Sequence, residues 1–200
     1  MYINTNYGSG AWTYLPSSGN PLFVATHVVA DGSMWVALGS GVESVRGIFT
    51  SSNGTSWTRR RECEILDGNY VSTSADGQYQ YLSPQVAGII DTLRSDDFGV
   101  TWTAIPSILD RAYLSSDGKY VTLLRQDTQI AFSSNFGVTF NDGKAFKKIP
   151  EAHMSRGRLA MSRTTGKYQT AILATGELSD VHPYKTNIFI NSRFGKGGYS

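Results

Sequence analysis

Two glycine-centred motifs alternate along this chain, and their phase constrains its fold more tightly than any single residue does. One is an octet, seen as "TSSNGTSW" (50–57), "SDDFGVTW" (95–102) and "SSNFGVTF" (133–140), and in looser form as "NTNYGSGAW" (4–12) and "NSRFGKGGY" (191–199). The other is a turn between apolar runs: "ADGSMWVAL" (30–38), "ADGQYQYLS" (75–83), "SDGKYVTLL" (116–124) and "TTGKYQTAI" (164–172). From Gly32 to Gly54, Gly77 to Gly99, Gly118 to Gly137 and Gly166 to Gly195 the intervals are 22, 22, 19 and 29 residues. Two dissimilar motifs in near-constant phase describe a repeated architectural unit, which has to be read before either motif is assigned any chemistry.

The second motif predicts a tight hairpin, because Gly reaches positive φ without a Cβ penalty and the flanking runs, such as "NYVSTSA" and "QYQYLS", are rich in strand formers. The octet lies between runs such as "QIAFS" and "VTFND" and predicts a further hairpin. The first hairpin joins strands one and two of each unit, the octet strands three and four. A unit of about 40 to 45 residues is then a four-stranded antiparallel sheet, the period and content of a propeller blade. The expected fold is all-β: one β-propeller domain over 1–200, with a partial unit at 1–20 and repeat units at 21–66, 67–110, 111–153 and 154–200. The last unit stops just after its octet and lacks an outer strand. Two solutions stand: a ring of four or five blades closed by the N-terminal "AWTYLP" pairing onto the C-terminal sheet, or a chain that is part of a larger assembly.

Composition narrows the class without naming a partner. With 40% hydrophobic and 17% charged residues the chain is globular. A formal charge of +2 without a continuous basic stripe argues against nucleic acid. Cys63 is the only cysteine, so no internal disulfide is available. No run approaches the roughly 18 apolar residues of a membrane helix. "MYINTNYGSGAW" has no basic segment followed by an apolar one, so the expected setting is soluble and cytoplasmic, without a signal peptide or membrane insertion.

"SDDFGVTW" resembles the Asp-box of the bacterial neuraminidase repeat, whose pattern is Ser or Thr, any, Asp, any, Gly, any, Thr, then Trp or Phe. Ser95, Asp97, Gly99, Thr101 and Trp102 match every defined position. Ser133, Asn135, Gly137 and Phe140 make a copy with Asn for Asp; Gly54 and Trp57 belong to one in which Ser52 stands at the acid position. Gly8 and Trp12, and Gly195 near the C-terminus, mark two looser copies with Asn6 and Arg193 there. The resemblance implies a structural box on a rim hairpin, far from any catalytic centre. Asp or Asn would accept backbone N–H bonds of its own turn, and the aromatic would anchor the hairpin between sheets. Asp96, at an unconstrained position, is expected to be solvated.

Sialidases share this box, so a sialidase-like glycoside hydrolase is the sharpest catalytic hypothesis. Such enzymes need three arginines on the substrate carboxylate, a Tyr activated by Glu, an Asp acid-base group and a Phe- or Tyr-Arg-Ile-Pro stretch. No such stretch occurs, and nothing in the sequence gathers three of Arg46, Arg94, Arg111, Arg125 and Arg158 in one pocket. His27, His153 and His182 have no second ligand at short spacing, which disfavours a metal site. "TRRRE" (58–62) and "KAFKK" (144–148), the densest basic stretches, could meet phosphate or an acidic glycan, but the preferred reading is a charged edge strand that discourages sheet-to-sheet aggregation. The expectation is therefore no catalytic residues, no cofactor and no metal.

"MSRTTGKYQTAIL" with the alternating boxes resembles repeat proteins of large DNA viruses and phages. That resemblance implies a virion component, capsid-associated, fibre or surface, acting as a structural or adhesion module in many copies or as a homo-oligomer. Its partners would be other proteins of an assembly, or glycans held through weak multivalent sites. A cellular complex-assembly factor is the remaining alternative. The long interval in the last unit marks an insertion at 176–186, whose Glu177, Asp180, His182, Tyr184 and Lys185 are the candidate partner loop.

Overall fold

The computed structural model describes residues 2–3, 9–11, 13–14, 22–29, 32–40, 46–62, 66–85, 92–105, 110–125, 130–142, 158–175 and 185–191, and the described residues contain strands and turns but no helix. A short hairpin pairs β1 (Tyr2–Ile3) with β2 (Thr13–Tyr14). The first four-stranded sheet is β3 (Leu22–Val28), β4 (Trp35–Ser40), β5 (Arg46–Ser51) and β6 (Thr58–Glu62). The second is β7 (Leu66–Thr73), β8 (Gln80–Gln85), β9 (Thr92–Ser95) and β10 (Thr103–Ile105). The third is β11 (Asp110–Leu114), β12 (Val121–Arg125), β13 (Ile130–Ser133) and β14 (Asn141–Asp142). In the fourth, β15 (Arg158–Met161), β16 (Gln169–Thr175) and β17 (Lys185–Asn191) are described.

Within each sheet the strands lie in chain order and pair antiparallel, as consecutive tight turns require. The chain is all-β and built on four-stranded antiparallel sheets; in the three whose four strands are described, the second motif lies between strands one and two and the octet between strands three and four. Successive first strands are neighbours, β3 beside β7, β7 beside β11 and β11 beside β15. "TRRRE" is β6, at the outer edge of the first sheet, with Arg59 and Arg60 exposed.

The hydrophobic core lies between sheets. Val36, Leu38 and Ile48 of the first meet Val71, Leu82 and Leu93 of the second, with the half-buried Trp102 against them. Tyr81 of the second meets Ala112, Leu114, Val121, Leu123 and Ala131 of the third, with Phe140 packed alongside. Burying one such aliphatic side chain contributes roughly 1.5 to 3 kcal/mol, so these interlocking faces hold the row of sheets together. No membrane-length apolar helix occurs among the described residues.

Among the described residues the terminal strands do not pair with each other to close a ring. Tyr14 pairs with Tyr2 and Thr13 with Ile3, while among the described residues β17 pairs with β16 alone. The N-terminal strand is taken by its own hairpin, where loop closure costs less entropy than reaching the other end of the chain. Among the described residues the row of sheets is open.

Candidate functional site

The octet at 95–102 is a hydrogen-bonded turn that uses both oxygens of its aspartate. Ser95 Oγ donates to Asp97 Oδ1 at 2.8 Å and accepts from the Gly99 N–H at 2.9 Å. The Thr101 N–H and hydroxyl donate to Asp97 Oδ1 and Oδ2 at 2.8 and 2.6 Å. Phe98 and Gly99 both lie in the left-handed region, with φ of 60 and 77°, which folds the chain back quickly enough for these contacts. Trp102 Nε1 donates to the Gly99 carbonyl at 2.9 Å, fixing the ring against the sheet boundary. Slight burial pushes the Asp97 carboxyl upward, but the bonds from Thr101, Ser95 and Val100 outweigh it and hold it below the ordinary carboxylate value. Asp96 is exposed but not merely solvated: its Oδ2 pairs with Arg94 Nη2 at 3.1 Å.

The octet at 133–140 repeats this geometry with an amide. Ser133 Oγ donates to Asn135 Oδ1 and accepts from the Gly137 N–H, each at 2.9 Å, and the Thr139 N–H reaches Asn135 Oδ1 at 3.1 Å. Asn135 Nδ2 donates to Thr139 Oγ1 at 2.9 Å, so the hydroxyl that donates beside Asp97 accepts here. The octet at 50–57 departs from its sequence alignment. Asn53, not Ser52, takes the acid's place: its Oδ1 accepts from Ser51 Oγ and from the Thr55 and Ser56 N–H groups. This turn is one residue shorter, since Gly54 N–H reaches Ser51 Oγ across three positions where Gly99 reaches Ser95 across four. Trp57 Nε1 still donates to the Gly54 carbonyl, at 3.2 Å.

The hairpins between strands one and two use the same chemistry. Ser74 Oγ donates to Asp76 Oδ1 and accepts from the Tyr79 N–H; Ser115 does the same with Asp117 and Tyr120. A serine stands three residues before each of these turn glycines, a repeat position legible in the sequence. Gly8, Trp12, Gly195, Glu177, Asp180, His182 and Tyr184 lie outside the described residues, as do Cys63, His153 and "KAFKK". The backbone of Lys185 opens β17 opposite Thr175.

A different cluster gathers on the first strands. Arg111 of β11 lies 5.8 Å over the Tyr70 ring of β7, and Tyr70 and Tyr113 have centroids 5.7 Å apart. The Leu159 N–H donates to Tyr113 Oη at 3.1 Å, linking β15 to the group. Arg163, in the turn after β15, reaches the Thr73 carbonyl at 3.5 Å and acts on both Tyr70 and His27. Burial, opposed by Arg111 and then Arg163, holds the Tyr70 phenol above its ordinary value; burial does the same to Tyr113. Burial first, then the Arg163 charge, holds the half-buried His27 imidazole below its usual value.

Sequence reasoning passed over this cluster. Its signal was positional, for Tyr70 and Arg111 each stand seven residues before a turn glycine and therefore at the same register, opposite Ser83 and Leu124. Of the arginines considered for a carboxylate clamp, Arg111 is in the cluster. Arg94 is engaged elsewhere, with Asp96 and the Phe136 carbonyl, and Arg46 is exposed on β5. Neither Tyr70 nor Tyr113 has a carboxylate among its electrostatic partners in the described residues.

The same sheet arrangement occurs in solved structures. The GH74 enzyme of Niastella koreensis matches 98% of this chain with a TM-score of 0.66 at 18% identity. TolB from Acinetobacter baumannii matches 86% of it with a TM-score of 0.55 at 17% identity. Both are β-propeller proteins. This chain is a β-propeller. Prolyl oligopeptidase B from Galerina marginata, another propeller protein, covers 88% of it with a TM-score of 0.55 at 13% identity. No family model and no curated protein matches the sequence. The propeller spans only 27%, 41% and 26% of the lengths of those three structures, and at these identities the likeness is one of fold.

Proposed function

We propose that this propeller is a non-enzymatic structural or adhesion module, a multi-copy virion component that binds an acidic group on a protein or glycan at its first-strand cluster. The observation that carries the reading is the convergence of Arg111 and Arg163 on Tyr70, which combines cationic and aromatic recognition from the first strands of two sheets and the turn after the first strand of a third. Phenols held above their ordinary value make poor nucleophiles, which favours binding over a sialidase-like displacement. The box aspartate and its asparagine counterparts are occupied by their own turns, which leaves them a scaffolding role. The resemblance of the repeats to those of large-virus and phage proteins supports the virion setting.

A glycan array probed with the purified chain, alongside a sialoside-release assay on the same sample, tests the proposal. Selective capture of acidic glycans, lost in Arg111→Ala and without sugar release, is the expected result. Release of sugar would make the protein a glycosidase. Absence of any glycan binding would remove the glycan as partner and leave a structural or protein-binding role.

A further inference from the structure

The boundaries between the sheets share one device. The residue two places after each turn glycine covers the turn glycine of the next sheet. A Cβ on Gly77 would lie 2.9 Å from Met34 Sδ, one on Gly166 would lie 2.7 Å from Tyr120 Cβ, and one on Gly118 would collide with the Tyr79 ring. All three glycines are buried. A backbone ladder runs alongside, with the Ala75 N–H on the Ser116 carbonyl at 2.8 Å and the Ser116 N–H on the Arg163 carbonyl at 2.5 Å.

At the two ends the device is half-made. Gly32, the first turn glycine, is exposed, and a Cβ there would meet nothing within 4 Å. Tyr168, the last covering residue, is 57% exposed. Lys167 Nζ stands 5.3 Å over its ring, just as Lys119 stands 5.6 Å over Tyr120 at the boundary that is made. One end therefore offers a covering tyrosine and the other an uncovered glycine, and one chain does not bring them together.

We infer that two copies of the chain associate head to tail, Tyr168 of each covering Gly32 of the other, to close a ring. The occupant is a second copy because both halves of the contact are on this chain and the same contact is built three times within it. Unlike ends that meet by a repeated rule make a heterologous interface, which has to close or propagate. Two rows, each of four sheets besides its β1–β2 hairpin, reach the upper end of the roughly four to eight blades usual in closed propellers. The inference is independent of what the ring binds.

Sedimentation equilibrium and light scattering on the full chain test this, with Gly32→Asn and Tyr168→Glu as variants. Asn is tolerated at the φ of 73° found at Gly32 and has open space there, so the variant folds; only a covering ring from a second copy would be obstructed. The wild type is expected at twice the 21.9 kDa chain mass, and each variant at the single mass with unchanged circular dichroism. Mixing the two variants is expected to recover the doubled mass, more weakly than wild type, because one of the two contacts in the mixed pair is intact. A monomeric wild type, variants that remain paired, a mixture that stays monomeric, or an open-ended series of larger masses would each overturn the proposal.

Discussion

Arg94 Nε donates to the Phe136 carbonyl at 2.9 Å, tying the second sheet to the octet turn of the third. The same carbonyl accepts from Tyr81 Oη at 3.3 Å. Burial pushes the Tyr81 phenol well above its ordinary value, so this hydroxyl stays a donor at any working pH. Removing the guanidinium in Arg94→Ala should cost about 2 kcal/mol, the range of a charge-assisted hydrogen bond. Asp96→Ala, which removes only the exposed partner, should cost less than about 1 kcal/mol. Urea denaturation of the two variants checks the ratio; equal losses would mean that the Phe136 contact contributes little.

Phe98 and Phe136 share a left-handed backbone, at φ of 60 and 61°, but not the same surroundings. Phe98 is 46% exposed, whereas Phe136 stacks on Tyr79 with centroids 4.9 Å apart. Phe98→Asn should therefore stabilise by about 1 kcal/mol, since Asn tolerates this conformation better. Phe136→Asn should not, because the same relief is offset by the lost stacking. Thermal melts of the pair read the difference directly.

Asp97→Ala should destabilise by about 1 kcal/mol and leave any binding untouched. Asp97→Asn should be tolerated, since Asn135 performs the same work with the Thr139 hydroxyl turned to accept. The depressed Asp97 carboxyl makes the stabilisation complete above its unfolded value of 3.8 and loses it as pH falls through the lower folded value. An acid titration of stability should be flatter there for Asp97→Asn than for wild type.

Trp102→Ala should cost about 3 kcal/mol, the low end for a large aromatic, because the ring is half-buried between the first two sheets rather than enclosed. Chemical denaturation gives the value. A loss below about 1 kcal/mol would show that the ring does not anchor the boundary.

His27 titrates in the folded protein below its unfolded value of 6.5. Between those two values the unfolded chain holds a proton that the folded chain does not, so stability is complete above 6.5 and falls as the pH drops through this window. Arg163→Gln should raise the folded value without restoring it fully, because burial is the larger cause. An NMR titration of the His27 ring is the check.

The amino-acid sequence by itself determined the repeating unit, the two hairpins within it and the all-β class, because these depend on local rules. Turn glycines, two-residue alternation and side chains that reach their own backbone act over fewer than about ten residues. Local rules also made Ser95, Asp97 and Trp102 legible as a turn. They were not enough for the octet at 50–57, where only the backbone trace reveals the shorter turn that gives Asn53 the acid's place. The first-strand cluster and the two open ends were decided by tertiary structure alone. Tyr70 and Arg111 become neighbours only when two sheets pack, and Gly32 is exposed with open space where a Cβ would stand, while Gly77, Gly118 and Gly166 each lie under a side chain of the preceding sheet. A repeat specifies what each unit presents, whereas packing between units decides which of those faces is met.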